Sequence, residues 1–420
     1  MKFDTVIIGG GLSGLTAGIE LARAGRKTAI VSAGQSALHF SSGSMELLGY
    51  DAQGAPVEHP LEAVDALPDN HPYKLLGRER MEQLLARVEP LFSATGVKVS
   101  GTHERNHWRL TPVGEVKPAW LTIEDYLTLD TPDALPWKHV AVVNIEGFLD
   151  FFPRFLARGI ERRHTICHFA SVTCDAIRHQ RESTTEMRAT NIARVVHGES
   201  VDQLAAALNA VVPEAEAILM PAVTGFDDFR ASRRLRSLVK RPLYYMTTMG
   251  TSVPGVRSQI MMQKHFRQLG GAYMLGDTVV KGGYNADGTR LLNVETANFG
   301  SDRLEADHFI FAAGSFFSHG LNSTPTGVFE PVLGLDVEAP ADRNLWFQKD
   351  IFKPQPYMRF GLATDRAMHA KKGGKVIDNI HVVGASLPGA DALREGSGAG
   401  IALLTALDAA DKILNRNINS

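Results

Sequence analysis

Three glycines in six residues, Gly9, Gly11 and Gly14, constrain the fold of this chain more than any other feature, because of what flanks them. Before them, Phe3 to Ile8 is an apolar run in which Val6, Ile7 and Ile8 lead straight into glycine, the pattern of a buried parallel strand. After them, Leu12 to Ala24 sets Leu15, Ile19 and Ala22 on one helical stripe, with Leu21 beside it. Gly25 then closes the helix as a C-cap, and Lys27 to Ser32 reads as a second strand. Between a strand and a helix, GxGxxG has a physical meaning. The first glycine makes the tight turn, the second lets a phosphate approach the main chain, and the third lets the helix lie on the sheet. An anion then rests on free N–H groups at the helix start.

One position departs from that pattern. The end of the second strand ordinarily supplies Asp or Glu to the ribose hydroxyls of an adenosine, and here it is Ser32. A serine makes one hydrogen bond and no charge-assisted pair. This leaves room for FMN, which has no adenosine, beside FAD, and the two are not separated by this residue alone.

The 39 glycines of the chain gather near both ends, with Gly384, Gly389, Gly396, Gly398 and Gly400 answering those at the start. The first 50 and last 45 residues are therefore read as wrapping one flavin. Between the ends, Val253 to Leu269 reads as a helix, and Ala272 to Leu275, Thr278 to Tyr284 and Leu291 to Ala297 as strands. A further strand, from Ala306, ends in Ala312-Ala313-Gly314. Asn379 to Ala385 is a last buried strand, and Gly398 to Leu414 an amphipathic helix whose N-terminus is suited to an anionic reduced flavin. Ala385 stands where an acidic ribityl contact is usual, so Asp391 or Glu395 would substitute. Gly34 to Leu48 is a small, hydroxyl-rich loop whose Ser41, Ser42, Gly43 and Ser44 can meet the ribityl chain, the phosphate or the ring.

The expected fold class is α/β: a Rossmann-like, two-dinucleotide-fold FAD/NAD(P)-binding flavoprotein domain with an inserted α/β cap domain. The flavin domain comprises 1–99, 246–315 and 376–420, and the cap 100–245 and 316–375. A length of 420 residues accommodates both. Within the cap, a turn-linked pair spans Trp108 to Trp120, strands His139 to Asn144 and Ala217 to Met220, and a helix Ser200 to Val211. Arg230, Arg233, Arg234, Arg236, Lys240 and Arg241 form a basic run, read as a solvated helix face that could also meet an anion.

Bulk properties exclude other classes. A net charge of −2 provides no basic field for nucleic acid. Cys167 and Cys174 are too few for a disulfide framework or a self-built iron–sulfur cluster, and suit a reducing cytoplasm. No apolar run approaches the roughly 20 residues of a membrane span, and Met1 leads directly into a strand, so no leader is expected.

The segments FDTVIIGGGLSGL, GQSALHFSSGSMELL, AAGSFFSHGL, EPVLGLDV and KPQPYMRFGLATD together resemble the B-subunit family of anaerobic glycerol-3-phosphate dehydrogenases, over nearly the whole chain. The resemblance implies FMN as cofactor, and a part in oxidising sn-glycerol 3-phosphate to dihydroxyacetone phosphate with electrons passed towards menaquinone. It also implies a catalytic dimer with an FAD-bearing A-type subunit, and an iron–sulfur C-type subunit that anchors both at the cytoplasmic side of the inner membrane.

Oxidising a secondary alcohol needs a flavin, a base for the hydroxyl proton and cations for the phosphate. The candidate bases are His39 and His319, and the candidate anion binders Arg257, Arg359 and Arg394. The cofactor-binding set is Gly9, Gly11, Gly14, Ser32, Ser41, Ser42, Gly43, Ser44, Ala313, Gly314, Gly384, Gly396 and Gly398. If the FAD-bearing partner holds the substrate, this chain relays electrons and needs no base. Two other readings are a stand-alone FAD enzyme of the fumarate-reductase-like kind and a flavin-free assembly protein, which would purify colourless.

Overall fold

The computed structural model describes residues 1–183, 185–300 and 302–415. Along the chain, strand β1 (Lys2–Ile8), helix α1 (Leu12–Arg23) and strand β2 (Thr28–Ser32) come first. A second group follows: β3 (His139–Ile145), α2 (Pro153–Glu161), β4 (Ile166–Val172), α3 (Glu199–Ala210), β5 (Ala217–Pro221), α4 (Arg230–Leu238) and β6 (Leu243–Met246). Helix α5 (Val253–Gln268) leads to β7 (Ala272–Leu275), β8 (Val279–Tyr284), β9 (Leu291–Thr296) and β10 (Arg303–Phe311). The chain closes with β11 (His369–Lys372), β12 (Lys375–Val382) and α6 (Gly398–Ile413).

These elements form two compact units, the first Met1–Ala37, Glu46–Gly96 and Met262–Ser420, the second Leu38–Met45 and Val97–Met261. The first holds an eight-stranded sheet in the order β7-β2-β1-β10-β9-β8, with β12 also beside β10 and β11 beside β12. Strands β7, β2, β1, β10 and β12 run parallel, and their register aligns Val31, Ile8, Phe311 and Val382 near one edge. Everything that follows those four residues therefore emerges together: Gly9 after β1, Ser32 after β2, Ala312 after β10 and Gly384 after β12. Strand residues such as Val6, Ile7, Phe309 and Ile380 are fully buried, which is why the sequence reads as continuous apolar runs there.

The division differs from the sequence reading in three places. Residues 316–375 fall in the first unit and not in the cap, because Leu321, Leu333, Leu335, Trp346, Phe360 and Leu362 enter one apolar core with Phe3, Val6 and Phe309. The buried Glu330 carboxylate fixes part of that segment by accepting the N–H groups of Val332, Leu333 and Leu335. Residues 38–45 and 246–261 fall in the second unit.

The second unit has a four-stranded, wholly parallel sheet in the order β6-β5-β3-β4. The strands expected at His139 and Ala217, the helix at Ser200 and the pair around Trp108 to Trp120 all correspond to regular elements. The last is an antiparallel hairpin of His107–Leu110 with Val116–Ala119.

Candidate functional site

In the first unit the strand ends meet so closely that glycine is required. A Cβ at Gly9, where φ is +113°, would lie 2.2 Å from the Ala312 carbonyl oxygen, and one at Gly14 would lie 1.9 Å from the Gly9 oxygen. At Gly384, with φ +64°, it would lie 2.2 Å from Ser13 Oγ. Gly11 is different, since its nearest neighbour would be Ser36 Cβ at 3.6 Å. It is the N-cap of α1 and has no capping side chain, and no acidic residue occupies the first turn. The helix thus presents free N–H groups beside an open glycine, the arrangement that accepts a phosphate.

The start of α6 repeats this theme. Its N-cap Ser397 makes no side-chain cap, no acid lies in its first turn, and α6 packs on α1. Glu46–Tyr50 is stitched to the turn ahead of it: Gly49 and Tyr50 N–H donate to the Glu395 carbonyl, and Gly400 N–H donates to the Glu46 carbonyl. Gly396 takes a left-handed conformation in that turn, and Gly398 opens the helix. Ala313 and Gly314 follow β10, where Gly314 N–H donates to Ser386 Oγ and that hydroxyl donates back to the Gly314 carbonyl.

Ser32 is buried, and its hydroxyl proton is directed to the Gly34 carbonyl at 3.3 Å. It shares the space beside Gly10 with the Tyr273 hydroxyl, which donates to the Gly10 carbonyl. Glu395 is no substitute ribityl contact. Its carboxylate already accepts from His71 Nε2, Arg359 Nη2, Ser397 Oγ and the Asp391 N–H, all within 3.2 Å. Burial alone would raise the Glu395 carboxyl; the hydrogen bond from His71, its charge, the Asp391 N–H and Arg359 outweigh this and hold it below the ordinary range. Asp391 caps its own short helix through Arg394 N–H.

His71 and Tyr73 are residues the sequence reading missed. The His71 Nδ1 accepts the Tyr73 N–H, so its Nε2 carries the proton shared with Glu395. The Tyr73 hydroxyl is wedged against the Leu47 and Ser397 carbonyls. Arg359 therefore acts as a brace, and Arg394 is half-buried with an unpartnered Nε. His319 lies exposed in a left-handed turn.

The remaining candidates, His39, Ser41, Ser42, Gly43, Ser44 and Arg257, lie in the second unit. There the Ser42 carbonyl accepts from Arg109 Nη1 at 2.8 Å and from Thr247 Oγ1 at 2.8 Å, and the Gly43 main chain lies on the Tyr126 ring. His39 is half-buried, and burial holds its imidazole below its ordinary value, so it is neutral at pH 7. The basic run is paired residue by residue: Arg233 with Glu124, Arg234 with Asp202, Arg236 with the fully buried Asp125. Arg241 donates to the Leu208, Val211 and Val212 carbonyls.

A parallel sheet whose strand ends converge on two uncapped helix starts defines a class, the flavin-dependent oxidoreductases built on a dinucleotide fold. The family model for the FAD binding domain matches residues 4–401. Over 420 residues the chain is 40% identical to the B subunit of anaerobic glycerol-3-phosphate dehydrogenase from Yersinia enterocolitica, covering 99% of each chain. It is 39% identical to the protein of the same name from Pectobacterium carotovorum, again covering 99% of each. Among solved structures, 3-ketosteroid delta1-dehydrogenase from Sterolibacterium denitrificans matches at 10% identity and a TM-score of 0.48, over 99% of this chain and 100% of that one. The chain belongs to the FAD binding domain family and, within it, to the B-subunit family of anaerobic glycerol-3-phosphate dehydrogenases.

Proposed function

We propose that the chain is the flavoprotein subunit of an anaerobic sn-glycerol-3-phosphate dehydrogenase, serving the conversion of sn-glycerol 3-phosphate to dihydroxyacetone phosphate with electrons passed towards menaquinone. The observation that carries this reading is the pair of uncapped helix starts, α1 and α6, in a chain matched along its whole length by relatives of that name. The bound flavin would supply a two-electron acceptor. The main chain at Gly11 and the first turn of α1 would hold its phosphates. The Gly396–Gly398 start of α6 would face the part of the ring that gains negative charge on reduction.

FAD is the cofactor in this proposal. A second reading, FMN, is favoured by one observation, the buried Ser32 where an adenosine ribose ordinarily meets a carboxylate. The role proposed is electron relay beside an FAD-bearing A-type subunit. A relay needs no general base, and His319 on its exposed turn and neutral His39 are not asked to serve as one. No helix among the described residues is long and apolar enough to cross a membrane. Attachment at the cytoplasmic face of the inner membrane is assigned to an iron–sulfur C-type subunit.

The test is to purify the full chain, record its visible spectrum, release the cofactor by heat and identify it by chromatography. FAD supports the proposal as stated, and FMN supports the second reading. A preparation that stays colourless after reconstitution with either flavin overturns both in favour of an assembly protein. Co-expression with the FAD-bearing and iron–sulfur partners then tests the reaction: glycerol 3-phosphate must reduce the flavin of this chain in the complex.

A further inference from the structure

The parallel sheet of the second unit has a feature separate from the glycine cradle. From β3 the chain goes to β4 on one side, then returns to place β5 and β6 on the other. The order β4-β3-β5-β6 therefore reverses between β3 and β5. In open α/β sheets, the crevice at the carboxyl ends of the two strands flanking such a reversal is where ligands bind.

The residues at that edge carry unmet hydrogen-bonding capacity. After β5 the chain turns at Thr224 and Gly225, and both carbonyls accept from Arg257 Nη1, at 3.2 and 2.8 Å. Arg257 is 2% exposed and stacks on Phe229. Its Nη2 is 3.6 Å from Asp125, a carboxylate it shares with Arg236 and the Ser232 hydroxyl. Its Nε has no acceptor. Beside β6, Tyr126 bridges to Tyr245 and is 4% exposed, and its hydroxyl has no partner either. The Arg109 guanidinium lies 4.3 Å from the centre of the Tyr126 ring. Burial pushes the Arg257 guanidinium below its ordinary value, a strain that a bound anion relieves.

Two buried donors without acceptors, one on a cation that is only half neutralised, require an acceptor with several lone pairs and negative charge. A phosphate group meets both requirements, and arginine is the side chain whose planar fork suits it. We infer that the second unit has its own anion site at the carboxyl edge of its sheet, where Arg257 Nε and the Tyr126 hydroxyl bind the phosphate of a phosphate monoester. Two monoesters share this chemistry, sn-glycerol 3-phosphate and FMN, and the first identification rests on the function proposed above.

The experiment uses the full chain in its purified, flavin-loaded form. Thermal melting and equilibrium dialysis are followed with inorganic phosphate, sn-glycerol 3-phosphate and FMN in turn. Saturable binding of glycerol 3-phosphate, weakened roughly ten- to hundred-fold in Tyr126→Phe, is the expected result. Tyr126→Phe keeps the ring under Gly43 and deletes only an unpaired hydroxyl, so without ligand it melts at or above the wild-type temperature. Arg257→Gln weakens binding at least as much. Saturation by FMN alone, with the same loss in both variants, keeps the site and makes a flavin its occupant. Absence of saturable binding, or equal binding by wild type and Tyr126→Phe, overturns the inference. A colourless protein that still binds phosphate would overturn the proposed function and leave this site standing.

Discussion

The groups that would meet a ligand in the first unit belong to the main chain, and those in the second belong to side chains. Around Gly9, Gly11 and Gly384 the binding surface consists of N–H groups at two helix starts, placed by strand register. Around Arg257 it consists of guanidinium and hydroxyl groups drawn from positions 109, 126 and 257 onto one sheet edge. A site made of backbone is specified by what is absent, the Cβ atoms. One made of side chains is specified by what is present, and the two respond to substitution in different ways.

The largest effect tests whether the glycines of the first unit differ among themselves. Gly14→Ala forces a Cβ into the Gly9 carbonyl, where helix and sheet are both fixed, and is expected to cost upward of about 3 kcal/mol. The variant should accumulate poorly or melt far below wild type. Gly11→Ala meets nothing closer than 3.6 Å and has an ordinary φ of −81°, so its melting temperature should stay within about 2 °C. Its flavin affinity should nevertheless fall roughly tenfold, since the methyl group occupies the open face of the helix start. Equal melting temperatures for the two variants would remove the distinction between packing and binding glycines.

Next in size is Glu395, the one place where the first unit relies on a buried side-chain network. Glu395→Ala strands His71, Arg359 and Ser397 and is expected to cost about 3–5 kcal/mol. Because the folded carboxyl titrates below its ordinary value, its contribution is complete above the usual glutamate range, near pH 4.3. It is lost as pH falls through the folded value. Melting temperatures of wild type and Glu395→Gln between pH 3 and 7 should converge at the acid end. Parallel curves would show that the charge is not what holds the turn.

A smaller and oppositely placed pH effect comes from His381 on β12, which is buried with both ring nitrogens unpartnered. Burial, and then His369, His308 and Lys412, push its value well below the ordinary one. The unfolded chain therefore binds a proton below about pH 6.5 that the folded chain refuses, and stability falls as pH drops from there. The slope from this residue is at most about 1.4 kcal/mol per pH unit, and His381→Phe should flatten it. An unchanged pH profile in that variant would mean the ring is already charged in the folded protein.

What could be read beforehand follows the same division. The GxGxxG turn, the Ala312-Ala313-Gly314 exit and the Gly396-Ser397-Gly398 start are local patterns whose physics lies within a few residues, so the cradle was legible from composition and spacing. His71, Tyr73, Arg109, Asp125 and Tyr126 are single polar residues with no local pattern. Only the fold brings Arg109 and Arg257 to the same loop and sheet edge. Residues 316–375 carry apolar side chains too irregularly spaced to show which core they enter, and Gly361, packed against Leu387 and Pro388, shows them to be part of the first unit. Ser32 was visible as a departure, but its burial against Gly10 and Tyr273 was not.

The basic run gives the smallest effect and the finest test of the comparison, because neighbours on one short helix, α4, have opposite surroundings. Arg234 pairs with Asp202 where both side chains are largely in water, and Arg234→Ala should change stability by roughly 0.5 kcal/mol or less. Two residues on, Arg236 reaches the fully buried Asp125, which would then keep only Ser232 and the more distant Arg257. Arg236→Ala should cost about 1–3 kcal/mol by denaturant melting. It should also tighten the hold of Asp125 on Arg257 and so weaken phosphate binding. If Arg234→Ala were the costlier of the two, the run would be acting as a surface stripe, and the side-chain site would lose the carboxylate that organises it.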